Sequence, residues 1–159
     1  MIDQETFDRL LPRACAWARA QEDFILARGT PLDPRYAADA CRVGVRNPDR
    51  IRVLVVDRIL LPDDEELAAA ARRTQIITPA SRAVALGYGI ILRADVWGNR
   101  ELVLHQLVHV AQCERSGNLE SFVCHYLSDR NQSEEFSVGS LEEEARRIAR
   151  EICAADASG

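Results

Sequence analysis

Residues 101–116 of this chain read as a helix that is apolar nearly all round, through Leu102, Val103, Leu104, Leu107, Val108, Val110 and Ala111, and Gly117 ends it. A helix with no polar face belongs inside a core, so the rest of the fold must be packed around this one. Two of the three histidines, His105 and His109, are set into it. Positions four apart lie one turn apart on the same helical face. A buried polar group left without a partner costs roughly 1–3 kcal/mol, so both rings need partners. Either each is hydrogen-bonded separately in the core, or the two converge on one metal ion, at ~2.0–2.1 Å per nitrogen for zinc.

A third protein ligand is expected from the last helix, 141–154. Its apolar stripe reads as Leu141, Ala145, Ile148 and Ile152. At about 100° per residue, Glu144 lies about 70° from the centre of that stripe and Glu142 about 90°, which favours Glu144 slightly. Glu143 points away, and Ser140 with Glu143 fits a capping box. Glu144 is therefore the expected third ligand, with a solvated or Arg-paired glutamate as the plain alternative. Cys113, one turn beyond His109, and His125 are further ligand candidates; His125 reads better as a surface or helix-packing residue. Arg115, Arg146 and Arg147 read as solvated helix charges, contact with a substrate carbonyl or carboxylate being their other use.

The rest of the chain supplies a small sheet and more helices. Residues 4–28 carry apolar positions at helical spacing, with Pro12 expected near a helix start or at a break. Pro34 to Arg42 reads as a helix with proline in its first turn and Gly44 just past its end. Ile51 to Asp57 and Gly87 to Arg93 read as strands, and Gln75 to Thr78 as a possible third. Between them Glu65 to Arg73 is a short Ala-rich helix. Leu119 to Leu127 forms a helix, and Ser128 to Gly139 a polar loop. Strands followed by helices predict an α+β, mainly helical single domain over 1–159, with a two- or three-stranded sheet. Within it 1–45 hold the N-terminal helices, 51–93 the sheet region and 99–154 the helices with the metal candidates.

Charge and cysteine content narrow the functions. The net charge is −5, with twenty basic residues among twenty-five acids, which argues against a phosphate-binding surface and so against nucleic acid. No segment reaches the ~18 consecutive apolar residues needed to cross a bilayer, so no membrane role is expected. The acidic start lacks a secretion signal, and a cytoplasmic location is expected. The five cysteines are widely spaced, without a CxxC pair, and read as reduced thiols.

The run from Glu101 to Gly117, with its His105-Gln-Leu-Val-His109 core, resembles the HExxH helix of gluzincin-type zincins, a group of zinc metallopeptidases. It is particularly similar to small bacterial proteins carrying HELVHVxQYERxG followed by LExEA, here Leu141-Glu142-Glu143-Glu144-Ala145. The strand 87–93 resembles the one those proteins place before the helix. The resemblance spans roughly residues 40–150. It implies a zincin-like fold and one zinc per chain held by His105, His109 and Glu144, with a fourth position open to water. The expected activity is hydrolysis of a peptide or protein substrate; backbone pairing with a sheet edge is a general way to hold an extended peptide, and 88–93 is the strand expected to offer that edge.

Two positions depart from that pattern. Cys113 stands where an aromatic residue is common, and Gln106 stands at the position of the general base. Directed proton transfer by a carboxylate is typically worth ~10²–10⁴-fold, and a carboxamide of nearly the same shape has no basic site at neutral pH. Metal binding is expected to survive and peptide hydrolysis to be crippled. An inactivating Glu→Gln change and a natural pseudoenzyme fit this sequence equally well. A pseudoenzyme would use the cleft as a non-catalytic protein-binding module.

Overall fold

The computed structural model describes residues 1–133 and 139–159. Among these residues six α-helices surround one four-stranded sheet, a mainly helical α+β architecture. The elements run α1 (Gln4–Arg28), β1 (Thr30–Pro31), α2 (Pro34–Arg42), β2 (Arg52–Val56), α3 (Glu65–Arg73), β3 (Ala83–Leu86), β4 (Gly89–Arg93), α4 (Arg100–Ser116), α5 (Leu119–Gln132) and α6 (Ser140–Ala157). No helix among the described residues is long and apolar enough to cross a membrane.

Strand order is β1-β2-β4-β3. β2 and β4 run parallel with Val53 opposite Ile90, while β3 pairs antiparallel with β4 at the outer edge. Alternation along the strands splits the core into two layers. Val53, Ile90 and Leu92 face α4, α2 and α6, whereas Leu54, Val84 and Ile91 face α1 and α5. α4 carries Leu104, Leu107, Val108 and Val110, all fully buried, as its all-round apolar sequence requires.

Three expectations are corrected. α1 is continuous through Pro12, starting at Gln4 under an Asp3 cap that accepts the Thr6 N–H at 2.9 Å. Pro12 is exposed, so the carbonyl that loses its donor there can turn to water. Gln75 to Thr78 is not a strand but the closing turn of α3. Gln75 takes a positive φ of 55°, Gln75 N–H donates to Arg72 C=O and Ile76 N–H to Ala71 C=O. Those two bonds are the Schellman pattern, which consumes the donors a strand would need. The sheet gains instead β3 and the two-residue β1. α5 runs to Gln132 rather than stopping at Leu127, and of the expected polar loop, 134–138 lie outside the described residues.

Charged groups lock the helices where apolar contact alone would leave slack. Arg100, at the start of α4, grips Asp39 of α2 at 3.0 and 2.7 Å and Asp156 of α6 at 2.7 Å. Asp39 is 4% exposed, and a carboxylate so buried must be paired. At the other end of α4, Glu114 accepts from the Arg46 N–H at 2.7 Å, the Tyr88 hydroxyl at 2.7 Å, and the Asn47 N–H and side-chain amide, both at 3.1 Å.

Burial on its own raises the Glu114 carboxyl, but these donors outweigh it and leave its pKa lowered. A group depressed in the folded state contributes stability above its ordinary pKa, 4.5, and that contribution is lost as pH falls through the folded value. Glu114→Gln should therefore lose about 1–2 kcal/mol in urea unfolding at pH 7. The deficit should shrink steadily below about pH 4.5, as the parent's carboxylate is protonated too. A deficit that stays constant from pH 7 to pH 3 contradicts this latch.

Candidate functional site

The Asn99 side chain starts α4 by accepting the Leu102 N–H at 3.1 Å, and the helix then carries His105 and His109 on one face. Their rings meet edge to face at 4.8 Å between centroids, with the two Nε2 atoms 3.1 Å apart. The third member of the cluster is Glu142. Its carboxylate oxygens stand 2.9 Å from His105 Nε2 and 3.0 Å from His109 Nε2. The ligand atoms of His105, His109 and Glu142 all lie within 4.8 Å of one another, a group that could hold a metal ion.

Glu144, the expected third ligand, is elsewhere. It accepts from the Gln112 amide at 2.7 Å and pairs with Arg115 at 2.9 Å. The reason is how α6 rolls. Its most buried residues are Ala145, Ala149 and Ile152, because the two alanines let it approach α4 closely. Centring the stripe on these three residues moves it about 35° toward Glu142 and away from Glu144.

The expected capping box is absent as well. Gly139, at φ 88°, is the N-cap, and Asp129 of α5 caps the helix by accepting the Leu141 N–H and the Ser140 hydroxyl, each at 3.0 Å. A Cβ at Gly139 would come within 2.6 Å of that carboxylate, so glycine is required by both backbone and space. Cys113 and His125 lie away from the cluster. Cys113 is buried against α1 and α5, where burial pushes its thiol up to about 12, and His125 is exposed on α5.

Hydrogen bonding fixes the protons. The Gln112 amide nitrogen donates to Leu141 C=O at 3.0 Å and to Glu144, so its oxygen must face His109 Nδ1, 2.8 Å away. His109 Nδ1 therefore carries the proton, and in the neutral ring Nε2 presents a lone pair. That lone pair points at the Glu142 carboxylate, which also accepts from the Tyr126 hydroxyl at 2.6 Å. Burial and the Glu142 charge raise the Tyr126 pKa well above 10, which keeps it a donor.

A lone pair facing a carboxylate at 3.0 Å is repulsive unless positive charge lies between them. Burial on its own would raise the Glu142 carboxyl, but with protonated rings as donors it sits far below the usual range. A divalent cation answers the same need without protonating either ring. The ligand atoms of the three residues, all within 4.8 Å of one another, are near enough to share one small ion.

The cluster opens into a cleft of about 360 Å³ between β3, α1, α4, α5 and α6. Gln106 lines it beside the histidines; it is 5% exposed and makes no side-chain hydrogen bond among the described residues. Phe122 and Tyr126 form an aromatic wall, 6.4 and 5.7 Å from the His109 ring. A smaller apolar chamber of about 90 Å³ adjoins the cleft and shares Trp17, Ile76 and Leu127 with it.

The edge strand bordering the cleft is β3, not 88–93, since β4 is paired on both sides. Arg93 N–H donates to Arg82 C=O at 2.8 Å, so in this register residues 84 and 86 bond to β4. Ala83 and Ala85 then turn their backbone groups outward.

Sequence reasoning missed Gln112 and Tyr126. Gln112 was findable, since it is 2% exposed in the same buried helix and one turn beyond His109. Tyr126 carried no local signal. Compared with family models, with curated proteins and with solved structures, the chain matches none.

Proposed function

We propose that this is a zinc-metallopeptidase-type protein in which His105, His109 and Glu142 hold one zinc ion and an extended peptide lies along β3. Hydrolysis is strongly impaired because Gln106 occupies the general-base position. The observation that carries this reading is the convergence of two imidazole Nε2 atoms and a buried carboxylate, with the His109 proton committed to Gln112. An outer partner that fixes the tautomer of a ligating histidine is a regular feature of metal sites. Zinc, when bound, supplies Lewis acidity that polarises a carbonyl or water.

The chain's own residues do the rest. Ala83 and Ala85 offer outward backbone donors and acceptors for strand addition, and the aromatic wall excludes water from the cluster. Gln106 can hydrogen-bond a group in the cleft but holds no proton acceptor strong enough to take part in hydrolysis. The same residue favours a second reading, a metal-containing module that binds a protein or peptide without cleaving it.

Elemental analysis of the purified protein tests the metal. About one zinc per chain is expected, falling to a small fraction in His109→Ala. Full zinc content in that variant, or none in the parent, overturns the proposal.

A further inference from the structure

α6 carries a run of arginines, and all but one has an acid to pair with. Arg147 meets Glu151 at 3.2 Å and Arg150 meets Glu101 at 3.4 Å; on the neighbouring helix Arg115 meets Glu144 at 2.9 Å. Arg146 makes no ion pair or hydrogen bond among the described residues, and it lines the metal cleft. It is four residues beyond Glu142, on the same face of α6. Arg130 of α5 lines the cleft too, with its guanidinium donating to Thr74 C=O at 2.8 Å.

Among the described residues the charged side chains lining the cleft are Arg130, Arg146 and Glu142, and Glu142 is already engaged by both histidines and Tyr126. Arg146 thus leaves one positive charge in the cleft with no acidic partner among the described residues, in a protein whose net charge is −5, and a bound divalent ion would add to it. A positive charge held beside apolar walls attracts ligands of the opposite sign. Gln106, buried and without a side-chain partner among the described residues, adds an amide to the same wall.

We infer that the cleft selects a ligand bearing a carboxylate, which Arg146 binds through its planar fork. The inference rests on the peptidase-type reading of the cleft. Two sources share this chemistry, the free C-terminus of a peptide and an Asp or Glu side chain.

Three hydroxamate probes on one tripeptide backbone, Leu-Ala-Ala, separate them: a free acid, a neutral amide, and an amide with Asp as the last residue. Titration calorimetry with zinc-loaded protein should show at least one carboxylate probe binding about tenfold more tightly than the neutral amide. Whichever gains identifies the source. Arg146→Gln should bring the three probes within about twofold of one another, and Arg146→Lys should keep part of the preference. Arg146 is exposed, so both variants should fold, which circular dichroism checks.

Equal affinities in the parent, a preference that persists in Arg146→Gln, or zinc-loaded protein that binds no probe would each overturn the carboxylate inference alone. Protein that retains no zinc overturns the metal reading, and this inference with it.

Discussion

Gln106→Glu protein, loaded with zinc, should cleave a mixed peptide library roughly 10²–10⁴-fold faster than the parent. Gln106 lies on α4 between the two histidines and is 5% exposed in the cleft, so a glutamate of the same length reaches the same space. What changes is basicity: a carboxylate accepts a proton from the attacking water and delivers it to the departing amine, which a carboxamide cannot do. Mass spectrometry of the digest reads the effect directly. Equal, background-level cleavage by both proteins, each holding zinc, would leave the binding-module reading standing and remove the peptidase one.

Glu142→Gln should weaken zinc binding by roughly 10²-fold or more, while Glu144→Gln should cost less than the 10–100-fold typical of residues that only support a ligand. The two glutamates are two positions apart on one helix, yet Glu142 faces both rings and Glu144 faces Gln112 and Arg115. Competition with a chromophoric chelator measures both constants. A larger loss in Glu144→Gln than in Glu142→Gln would reverse the assignment made from the geometry.

Much of the fold was legible because the strongest patterns are local. The all-round apolar 101–116 segment had to be central, and the β-branched run at 51–57 had to be a strand. Gly44 at φ 101° ends α2 where its position suggested. What could not be read depended on packing between elements. Glu142 and Glu144 differ by a helix roll of a few tens of degrees, decided by the small Ala149 against α4. Ile76 and Ile77 have strand composition, but the turn at Gln75 claims the Ile76 N–H for the end of α3. Ala83 to Leu86 has too little apolar bulk to announce a strand, and it is one only because β4 folds back beside it.

The last helix is tied down at both ends, through Leu141, Glu144 and the Asp129 cap at its beginning and through Asp156 with Arg100 near its end. Glu142 therefore stands on a splinted rod. Its place opposite the two rings is set by contacts that involve no ion, so filling or emptying such a centre would ask for side-chain adjustment and not for movement of a helix.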